Sequence, residues 1–153
     1  MIDLLLTLQP HGWSSCLIGD KNKRYEFLVT HVFSNPYSDL IQVLSELING
    51  QQSATLLWYD EPGGHRIEFM VRQENVLVSI DEFPQLCYEE PKSYQLVFEF
   101  EMELKQLIAL FYFQLQKTEF LLRYKSFSEN RAEYFPYQEF CTFKRIAKTF
   151  LEL

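Results

Sequence analysis

Glycine is scarce in this chain, with five in 153 residues. A phosphate cradle of backbone amides needs a glycine-rich loop, so nucleotide binding of that kind is excluded. The sequence holds no Gly-x-Ser-x-Gly elbow, no His-Glu-x-x-His pair and no EF-hand loop, which removes the common hydrolase, zinc-protease and calcium-sensor readings. The three cysteines, Cys16, Cys87 and Cys141, are odd in number and far apart, with no Cys-x-x-Cys. Neither a disulfide framework nor a zinc site is indicated, and reduced thiols are expected. No run approaches the ~20 apolar residues of a membrane span. The opening Leu-Leu-Leu-Thr-Leu is short for a signal core and follows Asp3 where basic residues would stand, so a cytoplasmic protein is expected.

Positive charge is also in short supply. Lys and Arg number 14 against 21 Asp and Glu, a net charge of −7. Residues 1–100 carry 6 basic against 14 acidic side chains, while residues 101–153 carry 8 against 7. An acidic surface repels phosphate backbones and releases no counterions on contact, which argues against nucleic acid and anionic membranes as partners. A basic protein is the partner that this charge fits.

Apolar residues are plentiful, at 47% hydrophobic and 16% aromatic. A chain of this length buries roughly 70% of its unfolded surface in one domain, so residues 1–153 are expected to fold as a single unit without a metal or cofactor. From Trp13 the sequence reads as two strands around the turn Asp20-Lys21-Asn22-Lys23, with Tyr25, Phe27, Val29, His31 and Phe33 alternating onto one face. The period then becomes helical from Pro36, with Leu40, Ile41, Leu44, Leu47 and Ile48 as the stripe and Gly50 as the stop.

Four strand-like segments follow, ending in Tyr-Gln-Leu-Val-Phe-Glu-Phe-Glu-Met, where Glu99, Glu101 and Glu103 alternate with Phe98, Phe100 and Met102. One side of that strand should be acidic and wet. A helix begins near Glu103, apolar nearly all round, which suits burial on two sides or a homodimer seam. A last helix opens at Pro136, with Phe140, Phe143, Ala147, Phe150 and Leu151 inward. The expectation is an α+β fold in the order ββαββββαα, with an extra first strand at residues 2–8 left open. Connections this short make an antiparallel meander, its helices covering one face.

The segment Trp58-Tyr59-Asp60-Glu61-Pro62-Gly63-Gly64-His65-Arg66 stands out. A three-residue loop of Pro62-Gly63-Gly64 sets Asp60 opposite Arg66 and Trp58 opposite Glu68. One face then holds Leu57, Tyr59, Ile67, Phe69 and Val71, and the other gathers Trp58, Asp60, Arg66, Glu68 and Arg72 as a candidate binding surface. A two-residue loop competes, pairing Trp58 with Ile67 and Leu56 with Phe69, and burying Trp58.

Catalytic readings are weaker. Cys16 and Cys141 sit in apolar patterns and His31 on an apolar strand face, which suits core roles, while His11 suits a turn. Adjacent carboxylates occur at Asp60-Glu61, Asp81-Glu82 and Glu89-Glu90, but neighbouring strand residues point to opposite faces, so such pairs make no acid/base couple.

Trp13-Ser14-Ser15-Cys16, the run from Trp58 through Glu61-Pro62-Gly63-Gly64 to Arg66, and Phe135-Pro136 together give the chain a resemblance. It resembles a loosely defined family of small uncharacterised bacterial proteins with a Trp-x-x-Glu-Pro-Gly hairpin. The resemblance implies an α+β fold and, for some members, a role as immunity-type partners of toxins; it implies no catalytic residues. The expected function is non-catalytic binding of another protein through an acidic, aromatic-containing sheet surface. The rival is a ligand-binding domain or enzyme with its site between the sheet and the long aromatic helix, converging on Arg66 or His31.

Overall fold

The structure is a computed structural model that describes residues 1–84 and 93–153; Cys87 and the Glu89-Glu90 pair lie outside them. Strands β1 (Asp3–Gln9), β2 (Trp13–Gly19) and β3 (Arg24–Thr30) form a three-stranded antiparallel sheet in chain order. The first strand therefore exists. The expected β2–β3 turn is held by Asp20, whose Oδ1 accepts from the backbone N–H of Asn22 at 2.7 Å and of Lys23 at 2.8 Å. Such a side chain mimics a backbone turn.

Helix α1 (Pro36–Ile48) follows. Asn35 caps it by accepting from the N–H of Tyr37 and Ser38, Pro36 fills the first position, and Gly50 just past its end has φ +94°. Pro36 and Gly50 are the start and stop signals expected from the sequence, and Asn35 adds a cap. Strands β4 (Ser53–Tyr59), β5 (Gly64–Arg72), β6 (Asn75–Phe83) and β7 (Gln95–Glu103) then form a second antiparallel sheet, again in chain order. Element order and class match the α+β meander expected, with one difference: α1 divides the meander into two sheets.

Helix α2 (Leu104–Leu121) starts directly from β7, and a short helix α3 (Lys125–Ser128) and a turn of tighter helix at Ala132–Tyr134 lead to α4 (Tyr137–Leu151). Helix α1 packs on β4 and α4, while α2 packs on β1, α4 and β7. The core is one cluster that draws on both sheets and on α1, α2 and α4. The sheets meet in it through β3: the Phe27 ring stacks on His65 at 4.3 Å and lies 5.9 Å from Trp58.

Leu107, Phe111 and Leu115 on α2 are buried as expected, and Leu104 is partly so. The helix is not enclosed all round, because Phe113 and Phe120 are each 50% exposed. Cys16 is buried and Cys141 exposed, both as free thiols. Burial, with Glu26 nearby, pushes the Cys16 thiol up to about 12, which leaves it protonated and non-nucleophilic at neutral pH.

Candidate functional site: the outward face of the four-stranded sheet

The β4–β5 hairpin takes neither register expected from its sequence. Tyr59 pairs with Gly64, Trp58 with His65, Leu57 with Arg66 and Leu56 with Ile67. The turn is Asp60-Glu61-Pro62-Gly63, closed by Asp60 N–H donating to the Gly63 carbonyl at 3.0 Å. Pro62 occupies its third position, after a cis peptide bond, where a three-residue loop would have put it first. Relative to that loop the register moves by an odd number of residues, which turns every β4 side chain to the opposite face. The two-residue alternative has the faces right and the pairing wrong by two.

Both glycines are fixed by close approach. A Cβ on Gly63 would lie 2.0 Å from the carbonyl oxygen of Phe83, and one on Gly64 would lie 2.5 Å from that of Trp58. The turn thus fits under the end of β6 only without side chains. Gly63→Ala is expected to cost about 1–3 kcal/mol, the range for forcing atoms into occupied space, read as a lower urea midpoint with an unchanged slope.

Trp58 therefore leaves the candidate surface. It is 2% exposed, faces the same side as His65 and Ile67, and donates its indole N–H to the Pro36 carbonyl at 3.1 Å. Its role is to tie β4 to the start of α1. The Asp60–Arg66 pair is likewise not formed. Asp60 sits half-buried in the turn, where burial first and Glu82 second push its carboxyl above its ordinary value.

Arg66, Glu68 and Arg72 do lie on the outward face of the sheet. Arg66 crosses to its register partner Asp81, with Nη2 at 2.7 Å and Nε at 3.1 Å from one carboxylate oxygen, and to Glu68 at 3.5 Å. Its guanidinium lies 3.6 Å from the centre of the Tyr94 ring. Because Asp81 is only 7% exposed, Arg66→Gln should leave a nearly buried carboxylate without its cation, at about 1–3 kcal/mol. Arg66→Gln paired with Asp81→Asn should restore part of that loss in a double-mutant cycle.

Sequence reasoning had not placed Asp81, Leu96 and Tyr94 on this surface: alternation in β6 points Asp81 outward, but Leu96 has the parity of buried Phe98 and Phe100 and reaches this side through the register shift opposite Ile80 and Asp81. Ser79 donates to Glu99 at 2.8 Å and Asn75 to Glu101 at 3.2 Å. The face thus carries Glu68, Asp81, Glu99, Glu101 and Glu103 against Arg66 and Arg72, with Leu57, Met70 and Leu96 between them at 36%, 49% and 54% exposure. Its charge is net acidic and its centre is apolar, a mixture that suits a protein contact.

His65 is the residue that sequence reasoning undervalued. It is 2% exposed, and its Nε2 lies 2.9 Å from the Tyr25 hydroxyl, a hydrogen bond that ties β5 to β3 across the two sheets. The signal was parity: His65 shares a strand face with Ile67 and Phe69. His31 departs from the expected core position on a strand face: β3 ends at Thr30 and His31 is only partly buried in the bend beyond it, its Nε2 being 3.1 Å from Ser14 Oγ. Burial pushes both imidazoles down to about 4. A folded-state value below the unfolded ~6.5 means that the unfolded chain binds protons first, so stability is present above pH ~6.5 and falls toward pH ~4. His65 alone should contribute about 2–3 kcal/mol to that loss. The urea midpoint of His65→Gln should vary with pH clearly less than that of the wild type over this window.

Surface grooves lie between α1 and β4, beside β1 and β2, between α1 and α4, and between α2 and α4. None of these four is lined by Arg66, His31 or His65. Where α2 meets the sheet, Gln114 and Lys117 bind the β1 backbone at Leu6. Among the described residues no three His, Cys, Asp or Glu side chains group as metal ligands, and no helix is long and apolar enough to cross a membrane.

No protein-family model matches the chain, and neither does any curated protein sequence. Among solved structures, the chain is similar to a chain of the CdiA-CT/CdiI toxin and immunity complex from Enterobacter cloacae. The two share 11% sequence identity over 76% of this chain and 99% of that one, with a TM-score of 0.50. At that identity the likeness is one of fold.

Proposed function

We propose that this protein is a non-catalytic cytoplasmic module that binds a basic protein partner through the outward face of its four-stranded sheet, in the manner of an immunity protein. The observation that carries the reading is the face itself: carboxylates outnumber cations on it and surround exposed Leu57, Met70 and Leu96. Exposed apolar side chains ringed by charge are the usual composition of a protein-binding patch. A fold shared with a chain from a toxin and immunity complex supports the immunity reading.

The first test is capture from the source cells with the immobilised protein. A stoichiometric basic protein should be retained at low salt and released progressively as ionic strength rises, because rim charges are screened. Expression of the captured protein alone should slow growth, and co-expression with this chain should restore it. A captured protein that is acidic, or whose retention ignores salt, would contradict the charge complementarity.

A further inference from the structure

We propose that the open edge of β4 is a strand-addition site for an extended, basic segment of the partner; the proposal rests on the reading that this chain works by binding a protein. Strand β4 ends the four-stranded sheet and pairs on one side with β5. The hydrogen bonds at the two ends of the hairpin set the phase of its backbone: Val71 N–H donates to the Gln52 carbonyl at 2.8 Å, and Asp60 N–H to the Gly63 carbonyl at 3.0 Å. In an antiparallel ladder such pairs alternate. Ala54, Leu56 and Trp58 therefore turn their N–H and C=O groups toward β5, and Ser53, Thr55 and Leu57 turn theirs away. Among the described residues, no hydrogen bond reaches the backbone of these last three.

The first strand shows what a closed edge looks like in the same protein. Leu6 N–H donates to Gln114 Oε1 at 3.2 Å, Leu6 O accepts from Lys117 Nζ at 2.9 Å, and Leu8 O accepts from Arg131 Nε at 3.0 Å. Edges left open are commonly blunted by lysine, proline or a bulge. The β4 sequence Ser-Ala-Thr-Leu-Leu-Trp-Tyr has none of these.

Beside this edge runs a groove of about 420 Å³, walled on its far side by Asp39, Gln42, Val43 and Glu46 of α1 and on its near side by Thr55 and Leu57. Its charged lining consists of two carboxylates and no Lys or Arg. Thr55 also stands opposite Glu68, so the groove opens onto the acidic face already described. An extended segment seated here would gain main-chain hydrogen bonds from the edge and find carboxylates on both sides. A basic segment fits that lining. A second copy of this chain does not, because it would bring the same acidic α1 and an uncharged β4 to the same groove.

The test uses a blocked peptide of alternating lysine and valine, its N-methylated analogue, and a version with glutamate in place of lysine. Each is titrated into the isotope-labelled full chain while amide exchange and chemical shifts are followed. The lysine peptide should protect the Thr55 and Leu57 amides, the N-methylated and glutamate versions should not, and Thr55→Pro should weaken binding about tenfold or more. Thr55→Pro removes an N–H that faces away from β5, so the fold should tolerate it; should that variant not fold, protection of the wild-type amides decides. Leu28→Pro, at the outward-facing phase of β3, should bind as the wild type does. Strand addition is overturned by shifts confined to Glu68, Glu99 and Glu101 with the β4 amides unaffected, by binding that Leu28→Pro weakens and Thr55→Pro does not, or by no binding of the lysine peptide. Any of these leaves partner capture standing as a separate result, whereas edge pairing without a captured partner would count against the proposed function alone.

Discussion

Trp58→Ala is expected to lose about 3–5 kcal/mol of stability, the range for removing a large buried aromatic. The residue belongs to the segment that looked most like a binding motif, yet its side chain fills the space between β4, β3 and the start of α1. Removing it also leaves the Pro36 carbonyl without its indole donor, adding about 1 kcal/mol where no water can substitute. Trp58→Phe should recover most of the packing and none of that bond. If Trp58 served as an exposed anchor instead, both substitutions would leave the stability within about 0.5 kcal/mol of the wild type.

Phe111→Ala should have an effect of similar size, about 3–5 kcal/mol. Phe111 is 4% exposed on the stripe of α2 that also carries Leu107, Ile108 and Leu115. Its neighbour Phe113 offers an internal comparison. Two residues further along the same helix it is half exposed, so Phe113→Ala should cost under about 1 kcal/mol. Equal losses at the two positions would mean that α2 is rotated or covered on its outer side.

These two predictions separate what the sequence displayed from what it concealed. The α1 boundaries were legible because Pro36 and Gly50 each perform a local job that needs no tertiary context; the Asn35 cap was not anticipated. The acidic side of β7 was legible for the same reason, since alternation of Glu with Phe has one interpretation in a strand. The hairpin register was not, because both phases of β4 are apolar: Ala54, Leu56 and Trp58 on one side, Leu57 and Tyr59 on the other. Nothing in the β4 pattern chooses between them; the observed register places Gly63 against the Phe83 carbonyl at the end of β6, a contact that lies outside the hairpin. Division of the meander into two sheets was hidden too, because it depends on contacts between β3 and the second sheet that lie far apart in sequence. The candidate surface lost Trp58 to the core and Asp60 to the turn, and it kept Arg66, Glu68 and Arg72 because the β5 pattern was polar on that phase.

His65 shows the same limit from another direction. Strand parity pointed it inward, but only the position of Tyr25 on the opposing sheet explains how an imidazole is tolerated there. A lone histidine in a sequence carries no sign of its partner.

The central claim is that the acidic outward face of the four-stranded sheet binds a basic protein. Calorimetric titration of the captured partner against the wild type and the variant Glu68→Lys/Glu99→Lys/Glu101→Lys tests it most directly. All three side chains are exposed, so the variant should keep the wild-type fold and lose no more than about 1–2 kcal/mol of stability with their contacts to Arg66, Ser79 and Asn75. The expected result is a loss of about a hundredfold or more in affinity, carried mainly by slower association at low salt. Undiminished affinity in a folded variant would contradict the account, because the partner would then be held by some other surface.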